Sequence, residues 1–143
     1  MSKINIVYWS QSGNTKAMAE AIGKGVTDAG KEAVILDVSN APVEELSKES
    51  VFALGCPSMG DEVLEESEME PFVGEIEKFA GGKTIALFGS FGWGDGQWMR
   101  DWVERMNDAG ANVVNGEGLI CQEAPDDVAL AECISLGSQL AGM

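Results

Sequence analysis

Four short, almost wholly apolar runs, at residues 3–9, 33–38, 51–55 and 84–89, alternate with stretches in which apolar residues recur every three or four positions. Runs rich in β-branched and aromatic residues, with no polar alternation, suit strands buried on both faces. Strands of that kind joined by helices form a parallel sheet covered on both sides, with right-handed crossovers. The helical stretches are marked by Ala17, Met18, Ala21, Ile22, Val26 and Ala29 up to Gly30, by residues 42–48, and by Phe72, Val73, Ile76, Phe79 and Ala80 with Pro71 in the first turn. Trp98, Met99, Trp102, Val103, Met106 and Ala109 mark another that ends at Gly110, and Pro125 and Asp126 open the last, with Leu130, Ile134 and Leu140 facing inward. Residues 111–114 and 118–120 read as one fifth strand interrupted around 115–117. The expectation is an α/β chain of 143 residues forming one domain, a doubly wound five-stranded parallel sheet.

The first strand runs into Ser10, Gln11, Ser12, Gly13, Asn14 and Thr15, a cluster of hydroxyl, amide and glycine residues that opens a helix. A strand-to-helix turn brings unpaired backbone N–H groups and the positive end of the helix dipole to one point, and a phosphate satisfies both. No Lys or Arg lies between residues 4 and 15, so an anion here is held by neutral donors. The same residue types also cap helices and stabilise turns, and on this segment alone that reading stands equally. In a sheet of this type ligands gather at the carboxyl ends of the strands, where the loops after strands one, three and four all open.

Composition removes several classes of function. The chain has no histidine, the commonest general base and metal ligand, which weakens hydrolytic readings. Cys56, Cys121 and Cys133 are odd in number and lack the spacing of a metal or iron–sulfur site, so buried thiols are expected. A formal charge of −15 argues against nucleic acid or an anionic membrane as partner and favours basic protein surfaces. No Lys or Arg occurs between Glu49 and Glu77 or after Arg105. With no apolar run long enough to span a membrane and no leader-like segment before the first strand, a cytoplasmic protein is expected.

Residues 9–15, the stretch Gly55-Cys56-Pro57-Ser58-Met59-Gly60-Asp61-Glu62 and residues 89–96 resemble the phosphate loop and the two isoalloxazine loops of short-chain flavodoxins. The resemblance spans essentially the whole chain and is strongest to the clostridial type, extending through residues 63–68 and Trp98-Met99-Arg100-Asp101. Flavodoxins are the standard illustration of the 2-1-3-4-5 strand order with FMN at the switch point, and the resemblance implies that order here. It implies that residues 10–15 hold the FMN 5′-phosphate, with Ser12, Asn14 and Thr15 as side-chain donors. Pro57 departs from relatives that carry Ser, and offers neither a hydroxyl nor a backbone N–H. Met59 and Trp93 resemble the pair that sandwiches the ring, and a Trp between Gly92 and Gly94 is poorly placed for core packing; Trp98 and Trp102, at helical spacing, suit the core. By the same resemblance the Gly60-Asp61 peptide turns over as the ring is reduced, Glu62 accepts from the ring N3–H, and Ser58, Ser90, Phe91, Gly92 and Gly94 complete the cofactor site.

The implied function is a low-potential one-electron carrier that uses non-covalently bound FMN between semiquinone and hydroquinone, as ferredoxins use their clusters, and transforms no substrate. Asp61, Glu62, Glu65, Glu66, Glu68 and Glu70, with no nearby cation, would oppose the second electron. Redox enzymes with basic docking surfaces are the expected partners, met in transient complexes by a monomer. A flavin-dependent reductase and a receiver-type signalling domain are the alternatives. The first needs a substrate site, and the second needs an acidic cluster after strand one, where Trp9-Ser10-Gln11 stand.

Overall fold

A computed structural model describes residues 2–143. The strands are β1 (Lys3–Tyr8), β2 (Glu32–Asp37), β3 (Val51–Gly55), β4 (Thr84–Phe91), β5 (Asn112–Val113) and β6 (Leu119–Gln122). The helices are α1 (Asn14–Asp28), α2 (Val43–Lys48), α3 (Met69–Glu77), α4 (Gln97–Asp108) and α5 (Asp127–Ala141). The sheet order is β2-β1-β3-β4-β5, with β6 also on β4 and every ladder parallel. Since β2 and β3 lie on opposite sides of β1, the order reverses between β1 and β3, and a crevice opens at their carboxyl ends.

The expected interrupted fifth strand is two short strands on one edge of β4. Ile85 pairs with Val113 and Phe88 with Leu119, so three steps along β4 face six along its neighbour. The excess is taken up by a turn in which Asn115 and Gly116 adopt φ values of 63° and 72°. β4 itself runs two residues beyond the expected end, so Ser90 and Phe91 belong to the strand and the loop starts at Gly92.

The period of two along the strands divides the core into two layers. Val7, Phe52, Leu54, Ile85 and Leu87 pack with α3 and α4, whereas Ile4, Ile6, Ala53, Ala86 and Phe88 pack with α1 and α5. Trp98 and Trp102 are both 1% exposed, in keeping with the core role read from their spacing. α3 stops at Glu77, so Ala80 and Phe79 reach the same layer from the turn that follows. Ala29 lies past the end of α1 and is exposed.

Helix α5 is rotated from the expected orientation. A Cβ on Gly137 would lie 1.9 Å from the Ile22 carbonyl oxygen, and one on Gly25 would lie 1.9 Å from that of Ile134. Two glycines thus let the α1 and α5 backbones touch, and that contact fixes which face turns inward. Cys133, Leu136, Gly137, Leu140 and Ala141 are buried, while Leu130 and Ile134 are only half-buried. Of the three thiols, Cys56 and Cys133 are buried as expected and Cys121 is half-exposed.

Candidate functional site

The first loop leaves β1 with the Trp9 amide donating to the Gly55 carbonyl at 3.0 Å. Ser10 Oγ accepts from the amides of Gly13 (3.1 Å) and Lys16 (3.3 Å), which curls the loop over the start of α1 and leaves the hydroxyl proton free to donate outward. Gly13, the N-cap residue, sits at φ 94°, has no side chain to offer as a cap, and is followed by a first turn without acidic residues. Because Ser10 Oγ takes the Gly13 and Lys16 amides, those of Asn14 and Thr15, with the positive dipole end of α1, are what the helix start offers to the crevice. Thr15 is buried, its Oγ1 lying 3.0 Å from Ser90 Oγ and accepting from the Ser90 amide at 3.4 Å. That pair ties the helix start to the end of β4.

The second loop is a hairpin tip. Met59 and Val63 exchange both backbone hydrogen bonds at 2.9 Å, and Gly60, Asp61 and Glu62 form the turn between them. Gly60 has φ 47°, a Cβ there would meet nothing within 4 Å, and Glu62 itself adopts φ 56°. The Ser58 amide donates to the Ser90 carbonyl at 3.0 Å, which joins this loop to β4 as well.

The third loop begins at Gly92. Trp93 is 62% exposed, unlike the two buried tryptophans of α4. Gly94, at φ 86°, is backed by the Glu62 carboxylate, which a Cβ would approach to 2.4 Å, and Glu62 Oε1 accepts from the Gln97 amide at 3.2 Å. Glu62 thus links the second loop to the N-terminus of α4. Arg100 donates to the Asp95 carboxylate at 2.8 Å and to its carbonyl at 3.0 Å.

A cavity of about 180 Å³ lies where the loops meet. Most expected site residues line it; Gly13, Gly60, Asp61, Glu62, Trp93 and Gly94 do not. Glu123 lines it without having been anticipated; it stands at φ 57° after β6, with its amide donating to the Phe91 carbonyl at 2.7 Å. A parallel sheet brings the carboxyl end of its last strand to the same edge, and that topology is the signal that could have found it. Two larger concavities, of about 620 and 570 Å³, flank the break between β5 and β6. Asn115 and Gln139, which line the larger, bond to each other at 2.7 and 3.2 Å.

The acidic stretch after the second loop is less uniform than expected. Arg105 donates to both Glu70 oxygens, at 2.9 and 2.6 Å, and to Glu77, so one carboxylate of the set has a cation beside it. Glu65 is buried. Burial raises its pKa, but hydrogen bonds from the Ser67 hydroxyl and the amides of Met69, Glu68 and Ser67 override that and hold it at about 2. Desolvation pushes the buried Cys56 thiol the other way, up to about 12, which makes it unreactive.

Residues 6–137 match the family model described as Flavodoxin. This chain belongs to the flavodoxin family. It is 51% identical over 140 residues to the flavodoxin of Clostridium beijerinckii, covering 98% of this chain and 100% of that one. It is 41% identical over 138 residues to the flavodoxin of Megasphaera elsdenii, covering 96% and 98%. The solution structure of two-electron reduced Megasphaera elsdenii flavodoxin superposes with a TM-score of 0.87 at 40% identity, over 98% of this chain and 99% of that one. The cofactor of this flavodoxin is FMN.

The residues present fit that group. An exposed indole and a half-buried Met59 offer contact to a flat ring. A helix start whose N-cap Gly13 brings no side chain and whose first turn has no acidic residue, beside the Ser10 and Ser12 hydroxyls, offers donors to a phosphate. Among the described residues no cluster of His, Cys, Asp or Glu is arranged to hold a metal, and no helix is long and apolar enough to cross a membrane.

Proposed function

We propose that this flavodoxin works as a low-potential carrier in which the first loop grips the FMN phosphate and the second and third loops tune the ring. The protein is an FMN electron carrier that shuttles electrons to redox partners, and it does not itself transform a substrate. When bound, FMN supplies reversible one-electron chemistry. The observation that supports the loop assignment best is the one cavity lined jointly by Ser10, Ser12, Asn14 and Thr15 of the first loop, Met59 of the second and Gly92 of the third.

In this reading the α1 amides, with Ser10, Ser12, Asn14 and Thr15, donate to the phosphate, while Gln11 and Gly13 shape the turn. Neutral donors fit the charge of the chain, because they bind an anion without importing a cation that would ease later reduction. Thr15 can serve only in the hydroxyl orientation in which Ser90 donates to it, since its proton is otherwise committed to Ser90 Oγ. Met59 and Trp93 cover the two faces of the ring. Gly60 accommodates both orientations of the Gly60-Asp61 peptide, which a β-branched residue at φ 47° would resist. Glu62, already at the start of α4, is the acceptor for the ring edge.

Negative charge near the ring disfavours adding the second electron. A carboxylate about 10 Å away contributes roughly 0.4 kcal/mol at water-like dielectric and about 1.7 at an effective value near 20. Asp61, Glu66 and Glu68 are exposed and Glu65 is buried but held ionised, whereas Glu70 is paired with Arg105, so Glu70 is the member of the set whose charge is offset by a neighbouring cation. The acidic surface also steers a monomeric, single-domain carrier onto basic partner surfaces, with exchange slowing as salt rises. Stepwise anaerobic reduction of the yellow holoprotein tests the reading. Two resolved one-electron potentials, the second well below that of free FMN, support it; a single two-electron step at the free-FMN potential contradicts it.

A further inference from the structure

Within the run Glu65-Glu66-Ser67-Glu68 the outer glutamates are exposed, but Glu65 retains only 7% exposure. Its carboxylate accepts from the amides of Ser67 (2.8 Å), Glu68 (2.8 Å) and Met69 (3.0 Å) and from the Ser67 hydroxyl. Its own carbonyl accepts from the Glu70 amide at 2.8 Å. One buried carboxylate thus satisfies the donors that open α3, from four residues outside the helix.

The other end of Glu65 is fastened to the root of the second loop. Its amide donates to Cys56 Sγ at 3.4 Å. The Cys56 amide donates to the Phe88 carbonyl at 3.1 Å, and the Cys56 carbonyl accepts from Trp98 Nε1 at 3.1 Å. That carbonyl fills space left by Gly89, where a Cβ would lie only 2.1 Å from it. Residues 57–64 therefore leave and rejoin a root fixed to β4 and α4, and Glu65 connects that root to α3.

We propose that Glu65 is a positioning residue for the second loop, setting where Met59 and Gly60 stand against FMN by holding the start of α3 to the Cys56 root. This rests on the loop assignment proposed above. A plain helix cap would stabilise α3 without affecting the loop.

The test compares Glu65→Gln, Glu66→Gln and Ser67→Ala by FMN titration of the apoprotein and by amide hydrogen exchange of the apoprotein. The glutamine at 65 keeps the size but turns an NH₂ toward amide donors, and losing a charged acceptor of this kind corresponds to about tenfold or more. The expected result is FMN affinity lower by about tenfold in Glu65→Gln and about threefold in Ser67→Ala, with exchange faster across residues 57–68 and unchanged in β1 and α1. Glu66→Gln, which removes the same charge from an exposed neighbour, should stay within twofold of the parent. Equal losses in the two glutamine variants would make the effect one of charge and overturn the proposal. So would faster exchange confined to α3 with FMN affinity unchanged. If Glu65→Gln fails to fold, Ser67→Ala decides by the same two readings. Failure of the parent protein to bind FMN would instead count against the loop assignment, and the exchange pattern of the apoprotein would still report on Glu65.

Discussion

Replacing Trp93 with alanine should weaken FMN binding about a hundredfold without destabilising the apoprotein. The indole is 62% exposed. Of a Trp surface of about 250 Å², that leaves roughly 150 Å² in water, and a ring stacked on one face covers about half of it. At about 25 cal/mol per Å² the covered area is worth about 2 kcal/mol, and aromatic stacking adds about 0.5–1.5 kcal/mol, which together correspond to about two decades in affinity. Quenching of FMN fluorescence during titration of the apoprotein measures the affinity, and urea unfolding measures the apoprotein. Trp93→Phe should fall between the two. An affinity within threefold of the parent would remove Trp93 from the ring; an apoprotein weakened by more than about 1 kcal/mol would mean that the indole packs against the protein after all.

A Cβ on Gly60 meets no atom within 4 Å, so the cost of Gly60→Val comes mainly from a β-branched residue at φ 47°; the two one-electron potentials should converge by tens of millivolts, and an unchanged gap would dismiss the peptide rearrangement. Gly137→Ala drives a Cβ to 1.9 Å from the Ile22 carbonyl and should lower stability to urea by about 1–3 kcal/mol while both potentials stay in place; full retention of stability would refute the close α1–α5 crossing. The depressed pKa of Glu65, about 2 in the fold against an ordinary carboxylate value when unfolded, means that its stabilisation is complete above the ordinary carboxylate range and is lost as pH falls toward 2. The stability gap between the parent and Glu65→Gln, at most about 3 kcal/mol at pH 6, should therefore shrink by pH 3, and a constant gap would show that the carboxylate is not held ionised.

Most of the architecture is legible in the chain because each strand is a short apolar run and each long helix carries its own stripe. The two buried tryptophans of α4 and the exposed Trp93 are separated correctly by spacing alone, since helical periodicity claims the first two and flanking glycines release the third. What sequence does not carry is contact between distant backbones. The rotation of α5 away from Leu130 and Ile134 depends on Gly25 and Gly137 meeting across 112 positions of chain. Ser90 and Phe91 look like loop because glycines surround them, yet β6 arrives from 31 residues away to extend the ladder. Glu65 sits in a run that reads as uniformly solvated, and only the start of α3 folding back over it distinguishes it from its neighbours. Glu123 reaches the cavity through the Phe91 carbonyl, a pairing that no local pattern announces.

The phosphate-holding role of the α1 start is tested most directly by calorimetric titration of the apoprotein with FMN and with riboflavin in phosphate-free buffer. Two or more charge-assisted hydrogen bonds together with the helix dipole correspond to at least about 3 kcal/mol, so FMN should bind with one-to-one stoichiometry and at least about a hundredfold more tightly than riboflavin. Equal affinities for the two, or no heat from either, would contradict the account.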